Sequence, residues 1–134
     1  MSQPAYTIAD IENLVNEFYG AIRQHEQLGP IFNRHISDWP KHLATMVDFW
    51  SSLLLKTQRF SGSPMMKHAA IPDLSAERFE QWLDLFHQTC QQQTCKPLGN
   101  DAWAFAQRIA RSLWMGYQIQ HNPQRTPTEL QLRH

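Results

Sequence analysis

Apolar residues recur at three- and four-residue spacing over four stretches of the chain, the period of a helix with one buried face. Ile11, Leu14, Val15, Phe18 and Ile22 form the first stripe and predict a helix over about 8–24. Thr7, followed by Asp10, reads as its N-terminal cap. Tyr19 lies at the edge of the stripe. Leu28-Gly29-Pro30 breaks the pattern, and Ile31 and Phe32 follow as a short apolar corner. Ser37 or Asp38 caps a second helix of about 39–56, with Pro40 in its first turn. On that helix His42, Met46, Phe49, Trp50 and Leu53 fall within about a 100° arc, so a histidine shares the buried face. Ser61-Gly62-Ser63-Pro64 reads as a turn. A short helical piece is expected over Met65, Met66, Lys67 and His68, ended by Ile71-Pro72-Asp73. Ser75 caps a helix of about 76–93 that carries Phe79, Trp82, Leu83, Phe86 and Cys90 on one face. Pro97-Leu98-Gly99-Asn100 reads as a loop, and a last helix of about 101–120 turns Ala106, Ile109, Ala110, Leu113, Trp114 and Tyr117 inward. No stretch alternates as a strand does. The pattern predicts an all-α domain over residues 1–120, followed by a polar, proline-containing tail over 121–134.

Composition narrows the function classes. The 134 residues suit one domain, and the 42% apolar content, with five Trp and seven Phe, gives it an aromatic-rich core. Twelve basic residues balance twelve acidic ones. No basic field therefore recruits nucleic acid or an anionic membrane surface. The longest aliphatic run is Leu53-Leu54-Leu55, so no membrane-spanning helix is expected. Residues Met1 to Tyr6 lack the charged start and apolar run of a signal peptide. A cytoplasmic monomer is the default expectation. The two cysteines, Cys90 and Cys95, fit neither a disulfide scaffold nor the spacing of a zinc or redox pair. Cys90 reads as a small core residue.

The familiar catalytic signatures are absent: no GxGxxG, GxxxxGK[ST], HExxH or GxSxG occurs. Seven histidines remain as candidate chemistry. His25 sits at a helix end, where a cation suits the dipole. His35 falls in a loop, His87 on the outer side of its helix, and His121 and His134 in the tail. All five read as solvated, as does the Gln91-Gln92-Gln93 run at a helix end. His42 and His68 differ. His42 shares an apolar face, and His68 is bracketed by Pro64 and Pro72. From pattern alone each is either an ordinary rim or loop histidine or an iron ligand. A haem is one physical use for both, because its iron takes an axial imidazole on one side and leaves the other open. The open side needs hydrogen-bond donors with an apolar body, and Tyr and Trp supply them. Tyr19, His42 and Trp82 lie on three separate helices, and spacing does not establish that they converge.

Four blocks in order carry a family likeness: Phe18-Tyr19 with Leu28-Gly29-Pro30-Ile31-Phe32; Trp39-x-x-His42 leading to Phe49-Trp50 and Leu53-Leu54; Gly62-x-Pro64, Lys67-His68 and Ile71-Pro72; and Phe79-x-x-Trp82-Leu83-x-Leu85-Phe86. Over about residues 8–120 the chain resembles the group III truncated haemoglobins. The resemblance implies a two-over-two helical sandwich around haem b. It makes His68 the proximal iron ligand and Tyr19, His42 and Trp82 the distal residues. Phe32 is then the aromatic packed on the porphyrin, with Met46, Phe49, Leu53, Met65, Ile71 and Phe79 as further contacts and Lys67 paired with a propionate. Met46 departs from the branched aliphatic more usual one turn after the distal histidine, and its thioether either fills the ligand space or binds iron itself. His42 either ligates iron in a six-coordinate resting state or swings as a gate. The glycine pairs of other truncated haemoglobin groups are missing, as in group III.

Three functions stand at this point. The first is reversible binding of dioxygen or another diatomic ligand. The second is redox chemistry on the same site, nitric oxide dioxygenation or a peroxidase-like reaction, with electrons from a separate reductase. The third is a helical interaction module without cofactor, which would be colourless and expose an apolar groove.

Overall fold

The computed structural model describes residues 5–56 and 75–121, with 124 and 126. Among them it has five helices and no strand: α1 (Ile8–Gln24), α2 (Leu28–His35), α3 (Trp39–Leu55), α4 (Ala76–Gln91) and α5 (Lys96–His121). None of them is long and apolar enough to cross a membrane.

The helix starts follow from side chains that satisfy the first free backbone N–H groups. Thr7 and Asp10 form a reciprocal capping box on α1. An Asp38 carboxylate oxygen accepts from the Lys41 N–H at 3.1 Å to open α3, and Ser75 Oγ accepts from the Arg78 N–H at 3.3 Å to open α4. α1 packs on α3 and α4 on α5, these two pairs meet through α1 with α4 and α3 with α5, and α2 packs against α1 and α4. The result is two helices over two, as the family resemblance implies.

Two stretches differ from the sequence reading, and both turn on Gly-Pro chemistry. Leu28-Gly29-Pro30 begins α2 rather than breaking the chain. Pro30 falls in the first turn, where a backbone N–H has no helical partner to lose. His25 Nδ1 accepts from the N–H groups of Gln27 and Leu28, at 3.1 and 3.0 Å, so the His25 side chain caps the start of α2 rather than lying free in solvent. Pro97 likewise starts α5, which absorbs the expected loop over 97–100.

Gly29 and Gly99 are there for close approach. A Cβ on Gly29 would lie 2.8 Å from the Arg23 carbonyl oxygen. One on Gly99 would collide with the Cys90 carbonyl oxygen, where α5 starts back along α4. Gly99→Ala is therefore expected to cost about 1–3 kcal/mol, because backbone has to shift. Gly20, exposed on α1 with nothing within 4 Å of its Cβ position, should gain roughly 0.5–1 kcal/mol as Ala. Urea unfolding of the two variants checks both signs.

Two polar residues read as solvated are structural. Gln93 is buried, and its amide donates to Glu17 at 2.6 Å and to the Thr89 carbonyl at 3.1 Å, tying α1 to the end of α4. His87 stacks on Trp103 of α5 at 4.2 Å between ring centroids. Cys90 is buried as expected, and burial pushes its thiol up to about 12. A disulfide-exchange reagent at about pH 8 should therefore titrate half-buried Cys95 alone in the native protein, and Cys90 only after unfolding.

Candidate functional site

The core divides into two apolar clusters. The larger gathers α1, α2, α3, α4 and the first half of α5 around Phe18, Tyr19, Phe32, Phe49, Trp50 and Phe86. The smaller joins Phe79, at the start of α4, to Leu113, Trp114 and Tyr117, toward the end of α5. Half-buried Ile109 packs against both.

Tyr19 is the centre of the candidate site. Its position beside the α1 stripe turns it toward α2 and α3, and only 3% of it is exposed. Its ring meets four others: Phe18 at 5.1 Å, His42 at 5.1 Å, Trp39 at 6.0 Å and Phe32 at 6.5 Å between centroids. The contact with His42 is perpendicular, at 86°. Burial alone holds the phenol above its ordinary value, so the hydroxyl stays protonated and able to donate.

Trp82 joins the same wall through Phe18. It meets Phe18 edge-on at 5.2 Å and lies flat on Phe86 at 5.5 Å, with planes 6° apart. Trp50 also stacks on Phe86, at 5.2 Å with planes 13° apart. Tyr19, His42 and Trp82 thus come from α1, α3 and α4 to one continuous aromatic surface, with Tyr19 and His42 in direct contact and Phe18 between Tyr19 and Trp82. Met46 and Leu53 are half-buried against this cluster, and Phe49 is part of it. Phe79 sits apart in the smaller cluster, at 5.6 Å from Trp114 and 6.4 Å from Tyr117. Met65, Lys67, His68 and Ile71 lie outside the described residues.

Three residues that bind this wall together carry no candidate role in the sequence reading. Trp39, first residue of α3, contacts both Tyr19 and His42 and donates its indole N–H to Asn33 at 3.1 Å. The Arg23 guanidinium lies 4.6 Å from the centre of the Trp39 ring. The available signal was the three-residue spacing of Trp39 and His42, which puts both on one helix face.

No protein-family model matches the chain. A curated relative, the group 3 truncated hemoglobin ctb of Campylobacter jejuni, is 37% identical over 83 residues, which are 59% of this chain and 65% of the relative. The matched segment thus spans somewhat less than two thirds of that relative's length. The crystal structure of a group III truncated hemoglobin from Campylobacter jejuni superposes with a TM-score of 0.75 at 32% identity, covering 84% of this chain and 92% of the other. With the two-over-two fold, the aromatic wall and this likeness over most of both chains, the protein belongs to the group III truncated haemoglobin family.

Proposed function

We propose that the chain holds one haem b and reversibly binds a diatomic ligand, dioxygen foremost, with His68 as the proximal iron ligand. The observation that carries the reading is the buried Tyr19 phenol in contact with His42, on the aromatic wall that also bears Trp82. The donor set fits the group. A porphyrin needs apolar walls, and two separate apolar clusters supply candidates: Phe32, Met46, Phe49 and Leu53 in the larger, Phe79 in the smaller. Met65, Ile71 and, at a propionate, Lys67 would complete the set. The haem would supply an iron site that binds and releases a diatomic molecule.

The protein's part is to receive, orient and shield that ligand. The Tyr19 hydroxyl, kept neutral by burial, donates a hydrogen bond to a ligand that gathers negative charge. Trp82 offers its indole N–H, and its plane is set by Phe18 and Phe86. The apolar residues around them keep bulk water from competing for those donors. Titration of the purified chain with haemin tests the reading: saturation at one equivalent with a sharp Soret band is expected. Weak, unsaturable binding, as to any apolar surface, would refute it.

A further inference from the structure

We propose that Trp39 is a positioning residue that holds the Tyr19–His42 pair closed against solvent. The inference rests on the haem-binding reading for its consequence, ligand entry, but not for its geometry.

Trp39 is a half-buried side chain at the boundary between the core and water, yet it is fixed from three helices. From α2, Asn33 accepts its indole N–H. From α1, Arg23 lies over its ring. From within, it meets Tyr19 at 6.0 Å and, one turn along α3, His42 at 5.8 Å. A partly exposed indole with one contact would sample several rotamers; anchors at its N–H, its face and its flanks leave one. His42 is held in turn. Its ring stands perpendicular to Tyr19 on one flank and to Trp39 on another, at 86° and 89°. Leaving Tyr19 therefore requires breaking both contacts, and the second belongs to a side chain that is itself fastened. Arg23 and Asn33 are exposed, so the fastening sits in water, where substitution perturbs the core least.

The test compares Trp39→Ala, Trp39→Phe, Asn33→Ala and Arg23→Met in the purified full chain. The first readout is the rate at which diethyl pyrocarbonate modifies His42, measured by peptide mass spectrometry. The second is the association rate of carbon monoxide after flash photolysis. Trp39→Ala should speed His42 modification about tenfold through loss of two ring contacts. Asn33→Ala and Arg23→Met should speed it about two- to fivefold. Trp39→Phe should match Asn33→Ala, and combining those two should add nothing further, because both remove the same hydrogen bond. Carbon monoxide association should rise in the same order. Should Trp39→Ala not fold, Asn33→Ala and Arg23→Met carry the test. Unchanged His42 modification in the folded variants, or faster modification without faster carbon monoxide entry, would overturn the proposal. Absence of a haem spectrum would sink the proposed function alone, because the modification rate needs no haem.

Discussion

Phe86→Ala is expected to destabilise the protein by about 3–5 kcal/mol, the range for truncating a fully buried aromatic. Phe86 is 1% exposed and stacks with both Trp82 and Trp50, while Phe18 stands perpendicular to it at 4.7 Å. Deleting the ring removes its transfer free energy and leaves a cavity beside two stacked indoles, which adds to the cost. At about 2.1 cal/mol/K per residue for the unfolding entropy, a loss of that size lowers Tm by roughly 10–20 °C. Phe86→Leu keeps most of the volume and should cost much less, roughly 1–2 kcal/mol. A calorimetric Tm for Phe86→Ala within a few degrees of wild type would mean that the stack is not a unit. The same substitution should loosen Trp82, so a folded Phe86→Ala should also release its ligand faster.

The second large effect is on ligand release. Tyr19→Phe keeps the ring and its contacts with Phe18, Trp39 and His42 and removes only the hydroxyl. A hydrogen bond to a charged acceptor contributes about 1.5–3 kcal/mol, so the dissociation rate of dioxygen should rise by roughly one to two orders of magnitude. Carbon monoxide carries little charge and should respond far less. The sign with pH is also defined. Burial raises the folded-state value of the Tyr19 phenol, so the neutral donor persists below and beyond its unfolded value of about 10. This group should therefore leave the dissociation rate flat from about pH 6 to 9. Its contribution to stability is whole below about pH 10 and is lost as pH rises further, because the unfolded state ionises first. Stopped-flow displacement of dioxygen checks the rate, and equal rates in wild type and variant would remove Tyr19 from its assigned role.

Much of this architecture is legible in local patterns, and the misses have a common physical origin. Thr7, Asp38 and Ser75 announce α1, α3 and α4 because a cap needs only residues three positions away. Gly29 and Gly99 mislead because Pro30, next to the first, and Pro97, two residues before the second, make each stretch look like a break. In the fold each glycine admits a carbonyl from another helix, a partner that local spacing does not encode. Gln93 and His87 mislead in the same way, since Glu17 and Trp103 reach them from other helices. The site divides similarly. Periodicity puts His42 on an apolar face and leaves Tyr19 at a stripe edge; only the packing of α1 against α3 makes them neighbours. Trp39 has no signature of its own, because its importance lies in contacts from Arg23 on α1 and Asn33 on α2. The family resemblance, in contrast, reaches His68, which no local rule distinguishes from an ordinary loop histidine.

On the proposed function, His68 anchors the haem and the Tyr19–His42–Trp82 wall lies on the ligand side. The most direct measurement is the absorption spectrum of the reduced protein before and after carbon monoxide, recorded for wild type and His68→Ala. A wild-type Soret band at about 400–420 nm that shifts on adding carbon monoxide is expected, with its loss or marked weakening in His68→Ala. A Soret band of wild-type strength and coordination in His68→Ala would contradict this anchoring, and would move the axial bond to His42 or Met46.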